Sequence, residues 1–324
     1  MIAPSPELLR DPLGLVRSRC AVVAHRARFV NIDDRALEDC AAALPLDEIE
    51  QAPAHAGPDL RGDRLTRSTF VICLDAINFG SGWFPQLAKL PGLSGYRTVE
   101  ARLRDWFARR GAPSPAELSS FDAAQMTELL GQARAGPDIP ELMQLFALAW
   151  RHLGELLERD FGADFGRMLE QAGSSAIQLI RTLLRMPLYR DIVRYDGLEV
   201  PLLKRAQITA ADLGSAGLAA FEDLDQLTMF ADNLVPHVLR LDGVLRYAPE
   251  LLARINREEL LVVGSVEETE IRACAVTAVE RLRSLIAQRG GEVRAIDLDY
   301  WLWNRGAGAS YKAEPRHRAR SSFY

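Results

Sequence analysis

Residues 141–160, ELMQLFALAWRHLGELLERD, place Leu142, Leu145, Phe146, Leu153, Leu156 and Leu157 three and four positions apart. Such spacing gathers apolar side chains onto one stripe only in a helix. Asp138, three residues before Glu141, has the spacing of a capping box, in which a side-chain oxygen takes an otherwise unpaired N–H of the first turn. Ser114, Pro115 and Glu117 repeat that logic, and the segment after them runs as a helical unit to Gly136. Ser265 and Glu268 open a third helix, closed by Gly290 and Gly291. Strand-like runs are short, at residues 68–77 (STFVICLDAI) and 260–265 (LLVVGS). Residues 80–113, rich in Gly, Pro, Tyr and Trp, read as a loop-bearing connection with room for a small hairpin. The expected fold is therefore mainly α with at most a few short strands. The 324 residues make either one helical domain or two lobes, 1–135 and 136–324, with a site between them.

Composition narrows the function. Thirty-nine Lys and Arg against 44 Asp and Glu give a net charge of −5, which argues against a protein that coats nucleic acid. With 48% hydrophobic and 26% charged residues, the chain has enough apolar content for a packed core. No run approaches the roughly 18 apolar residues of a membrane span, and the N-terminus lacks a signal-peptide core, so a cytoplasmic protein is expected. Cys20, Cys40, Cys73 and Cys274 lie far apart without metal-ligand spacing and read as reduced core residues. There is no P-loop, GxGxxG, GxSxG or HExxH pattern, and neither a metal nor a cofactor is expected.

Polar groups stand out in five places. In TMFADNLVPHVL, residues 228–239, Pro236 follows Asp232 by four and would leave the Asp232 carbonyl unpaired in a regular helix. The helix must bend or start there, which lets Phe230 and Asp232 face one cavity. Asp232 then either caps the next helix or supplies the negative charge that glycosidic cleavage needs under an oxocarbenium-like state. In IDLDYWLWN, residues 296–304, Asp299, Tyr300 and Asn304 fall within about 140° of a helix, as a guanine-reading set or an ordinary polar face. In PLLKRAQI, residues 201–208, Lys204 is either a point charge for phosphate or a surface lysine. His55 lies in a loop, where binding residues concentrate. The last segment, Arg305 to Arg320, carries five Lys or Arg against one Glu, and is either a solvated tail or one folded over an anion.

Taken in order, LDAINFGSGWF (74–84), SSAIQLI (174–180), PLYRDI (187–192), LKRAQI (203–208), DQLTMFADNLVPHVL (225–239), ETEIRACAVTAVE (268–280), IDLDYWLWN and HRARSSFY (317–324) resemble the queuosine salvage proteins. The resemblance runs from about residue 15 to the end. It implies an all-α fold similar to the helix-hairpin-helix DNA glycosylases and hydrolysis of queuosine 5'-monophosphate to queuine and ribose 5-phosphate. By it, Asp232 is the catalytic carboxylate, with His55, Phe230, Asp299, Tyr300 and Asn304 around the base. Lys204 with His317, Arg318 and Arg320 forms the expected phosphate cluster. The sequence departs from the family pattern at Asn304, where Asp is common, and at Gly80 and Gly82, where bulkier residues are common. A glycosylase acting on a flipped base, or a non-catalytic nucleotide-binding module, are the alternatives. The expected partner is the small-molecule substrate alone, with no stable nucleic-acid partner and no membrane, and a monomer suffices for that reading.

Overall fold

The apolar stripe of residues 141–160 does what its spacing requires. Ile139–Phe161 is one helix, with Leu142, Phe146, Leu153, Leu156 and Leu157 buried and Leu145 half-buried. The computed structural model describes residues 2–52 and 62–324, and His55 lies outside the described residues. In chain order, the elements that position the site are α1 (Pro12–Arg26), β1 (Val30–Ile32), α2 (Arg64–Ala76), α3 (Gly95–Arg110), α4 (Pro115–Ser120), α5 (Ala123–Leu130) and α6 (Ile139–Phe161). There follow β2 (Ile192–Tyr195), β3 (Leu198–Pro201), α7 (Lys204–Ser215), α8 (Val235–Leu241), β4 (Leu245–Tyr247), α9 (Val266–Gln288) and α10 (Ala295–Arg305). The fold is mainly α. Among the described residues no helix is long and apolar enough to cross a membrane.

Four local expectations change. Residues 68–76 are helical, within α2, and Ile77 caps it; every residue from Ser68 to Ala76 is buried, so no polar face was left to reveal the helical period. Residues 260–265 contribute only an isolated bridge from Leu260 to Arg318. The connection at 80–113 contains the sixteen-residue helix α3. The unit beginning at Ser114 breaks at Phe121, and a second capping box, Asp122 with Gln125, starts α5. The paired strands are β1 with β4 and β2 with β3, both antiparallel. The second pair is a hairpin about Asp196 and Gly197, whose φ values of 47° and 80° are those of a two-residue turn matched to strand twist.

At the centre lies α7, buried on all sides from Lys204 to Leu213 although it carries Lys204, Arg205, Gln207, Thr209 and Asp212. Polar groups held inside require partners. Arg205 is sandwiched between the Phe79 and Tyr189 rings, 4.7 and 4.6 Å from their centroids, and donates to the Ala76 and Leu188 carbonyls. Gln207 accepts from the Thr228 N–H at 2.9 Å and donates to the Leu202 carbonyl at 3.1 Å. This helix thereby ties α2 to the segment that carries Asp232.

Candidate active site

Pro236 falls in the first turn of α8, where its missing N–H costs nothing, and residues 228–234 run non-helically into it. The two readings of Asp232 prove compatible. Its Oδ1 accepts from the Leu234 and Val235 N–H groups at 2.8 and 3.0 Å, capping α8, while the residue lines a cavity of about 750 Å³. Phe230 lines the same cavity. The segment is held from two sides: Phe230 N–H donates to Asp299 Oδ1 at 2.8 Å, and Arg272 Nε donates to the Ala231 carbonyl at 2.8 Å.

Helix α10 splits the set read from its sequence. Asp299 and Asn304 face the cavity together with Trp303. Tyr300 is not part of the wall. Its Oη donates to Asp212 Oδ1 at 2.8 Å, and its ring meets Phe230 edge-on at 5.8 Å, so it buttresses the ring that lines the cavity.

Lys204 is no surface lysine. Its ammonium donates to both the carbonyl and Oδ1 of Asn78, each at 2.9 Å, and Asn78 Nδ2 donates to Asp75 Oδ1 at 3.2 Å. Burial pushes the Lys204 pKa down to about 8, with Asp232 the strongest of the charges that hold it up. The same burial raises the Asp232 carboxyl above its ordinary value, opposed first by Lys204, then by the two capping N–H groups, then by Arg316. Asp299 and Asp212 are raised well above the usual carboxylate range, first by burial and next by the charges of Asp232 and Asp75 respectively.

The C-terminal segment folds back over the cavity, with only one of its three expected side chains, Arg318, in the wall. Arg318 lines it and also pairs with Glu258 at 3.6 Å. His317 is buried outside the wall, its carbonyl accepting from Asn233 Nδ2 at 3.1 Å, and burial drives its pKa down to about 3. Arg320 is also outside the wall, pairing with Asp138 and, at 4.0 Å, with Glu141. Asp138 accordingly makes no side-chain cap for α6, its carboxylate being taken by Arg320 and by Gln86 Nε2 at 2.6 Å. Arg316, which the expected cluster did not include, also enters the wall, half-buried and with no hydrogen bond or ion pair to the described residues. Charge counting found the basic segment; which Arg faces inward depends on docking that the local sequence does not encode. Gly82 explains one departure from the family pattern, since a Cβ there would strike the Ala319 carbonyl of the docked segment.

Asn78 and Asp75 also escaped the sequence reading. Both stand in LDAINFGSGWF, and the signal available was two polar residues at a spacing of three within an apolar run.

The family model for the queuosine salvage protein matches residues 61–324, which spans every described element of this cavity. The chain belongs to this family. A relative from Sphaerobacter thermophilus is 34% identical over 97% of this chain and 98% of its own length. One from Bos taurus is 34% identical over 97% of this chain and all of its own, and one from Dictyostelium discoideum is 29% identical over similar lengths. Each of the three is named queuosine 5'-phosphate N-glycosylase/hydrolase. In this member of the queuosine salvage family, the segments carrying the resemblance converge: residues 74–84, 203–208, 225–239, 296–304 and the C-terminal stretch all contribute to one cavity wall.

Proposed function

We propose that this chain hydrolyses the N-glycosidic bond of queuosine 5'-monophosphate, releasing queuine and ribose 5-phosphate. The observation that carries the reading is a half-buried carboxylate, Asp232, held on a cavity wall that it shares with an aromatic ring and a fixed lysine, whose charge acts on it. The bond from C1' to the base nitrogen breaks with its electron pair leaving on the base. Asp232 stabilises the oxocarbenium-like sugar and takes a proton from the water whose oxygen joins C1'; a proton returns to the base nitrogen. Queuine is a 7-deazaguanine, so carbon replaces the N7 that purine hydrolases commonly protonate, and more of the work rests on the sugar side. Phe230 stacks on the base, with Asp299 and Asn304 at its polar edge. Arg316 and Arg318 take the 5'-phosphate, Arg by its paired N–H groups being suited to phosphate oxygens. The site lies within one helical unit or between lobes 1–135 and 136–324, and its wall draws on residues from both spans.

Release of free queuine, followed by chromatography, tests this. Turnover of queuosine 5'-monophosphate, with guanosine 5'-monophosphate and intact queuosine-containing tRNA left uncleaved, is the expected result. Cleavage of tRNA alone, or equal cleavage of the guanosine nucleotide, overturns the substrate assignment.

A further inference from the structure

Resting on the reading of Asp232 just given, we propose that Asn78 is a positioning residue for the hydrolysis: it grips the Lys204 ammonium with two oxygens, keeps that charge facing Asp232, and so sets the pH range over which Asp232 works as a carboxylate.

The geometry begins at the C-terminal end of α2, where carbonyls without helical partners give the backbone a partial negative charge. Two cations from the first turn of α7 meet that end. Arg205 takes the Ala76 carbonyl, and Lys204 takes the carbonyl and side chain of Asn78. A lysine ammonium has three donors, and two of them are committed to this one residue. The Asn78 amide is itself fixed, because Asp75 Oδ1 accepts from its Nδ2 and thereby determines which end of the amide faces Lys204. Asn78 and Lys204 both reach the cavity wall, whereas Asp75 stays behind it. Lys204 is thus an anchored charge rather than a mobile phosphate ligand.

The need for an anchor follows from the surroundings. Asp75 on α2, Asp212 on α7 and Asp299 on α10, all buried, and the half-buried Asp232 before α8 act on Lys204 or on one another, with Arg205 on α7 and Arg316 on the C-terminal segment among the cations. Four carboxylates withdrawn from water in this way cannot all stay ionised beside so little positive charge. Asp75 is pushed up to about 7 by burial, and burial also raises Asp212 and Asp299 well above the usual carboxylate range. Asp232 alone combines two capping N–H groups with Lys204 as its leading counter-charge. Moving the ammonium away from Asp232 therefore shifts ionisation at the reacting carboxylate before it shifts anything else the substrate meets.

The test is the pH profile of kcat/KM on queuosine 5'-monophosphate for wild type, Asn78→Ala and Asn78→Asp. The acid limb reports loss of charge from Asp232 and the alkaline limb loss of the proton from Lys204. Asn78→Ala removes one of the two oxygens, so the acid limb should move up and the alkaline limb down, each by about one pH unit, narrowing the profile. Within the acid limb this is a loss of about 10-fold at a given pH. Asn78→Asp replaces the neutral oxygen by a charged one, so its alkaline limb should move up instead. Opposite signs at one position are not produced by a merely structural role. If both limbs stay in place in either folded variant, or if only KM rises, the positioning role is wrong. Should Asn78→Ala not fold, the sign of the Asn78→Asp shift decides alone. A wild type without turnover overturns the glycosylase reading itself, which is distinguishable from turnover with immobile limbs.

Discussion

Two buried clusters of charge lie within one molecule, and they are built differently. Around Arg272 on α9, Asp191 accepts two hydrogen bonds at 3.1 and 2.6 Å, Glu268 accepts one at 3.3 Å and the Ala231 carbonyl takes Nε, while the Tyr324 ring stacks 4.5 Å from the guanidinium. All three charged side chains are essentially without solvent contact. Around Lys204, the balance is short: Asp75 Oδ2 and Asp212 Oδ2 are buried and accept no hydrogen bond from the described residues. In the first cluster all three guanidinium nitrogens are engaged and the charged side chains stand behind the wall; the second leaves oxygens unserved and opens onto the cavity. A saturated buried network holds a shape, whereas an unsaturated one holds groups whose protonation changes during a reaction.

The contrast is strongest in stability. Arg272→Met strands Asp191 and Glu268 in the interior and should cost about 3–5 kcal/mol, read as the shift of a urea midpoint. Lys204→Met should be much gentler below about pH 6, because the carboxylates around it can take up protons instead. Comparable losses for the two variants would erase the distinction.

Next in size is the effect on catalysis. Asp232→Asn should lower kcat at least about 100-fold with the helical circular-dichroism signal intact. A folded variant with full activity would remove Asp232 from the chemistry and leave the Lys204 cluster as architecture too. Because burial raises the Asp232 pKa and activity needs the ionised form, activity in wild type should fall away at a pH above the ordinary carboxylate range.

Smaller still is discrimination at the docked C-terminal segment. Arg316→Ala should weaken the preference for phosphorylated over unphosphorylated queuosine by about 10- to 100-fold in kcat/KM, the loss of a charge-assisted contact. Arg320→Ala, which breaks a pair with Asp138 outside the wall, should change that preference only slightly. The reverse ranking would relocate the phosphate.

The smallest effect concerns pH and stability at the edge of the saturated cluster. His317 and His237 are held by burial to about 3 and about 4. Unfolded, they take up protons below about pH 6.5, so their contribution is present above that pH and is lost as pH falls toward the folded values. The melting temperature should drop between pH 7 and pH 5, and His317→Leu should flatten that drop.

The sequence made some of this plain and hid the rest for identifiable reasons. Long amphipathic helices such as α6 and α9 were legible because one face remains polar. Helix α2 was not, since burial on every side erases the period. The Asp196–Gly197 turn was visible in principle as a hairpin signal. Asp232 was found because Pro236 forces a break in the chain, Phe230 because it shares that segment, and Asp299 because it falls on one helical arc with Tyr300 and Asn304. Tyr300, His317 and Arg320 sit in the right segments but one or two positions off the wall, an offset set by tertiary packing. Arg316 and Asn78 were missed because a partnerless guanidinium and a lysine anchor are properties of the assembled site.

The grip of Asn78 on Lys204 joins residues 126 positions apart, and the carbonyl of Tyr324 accepts from Gly80 across a still longer stretch. A ribosome adding about 5–20 residues per second exposes α2 for on the order of ten seconds before Lys204 is made, and for longer before the last wall is in place. During that interval Asp75 and Asn78 stand in water, where neither carries a catalytic consequence. The growing chain is therefore inert toward nucleotides until the segment that ends the cavity wall at Tyr324 has been made, and the burial of charge around Lys204 waits at least until residue 204 has been added.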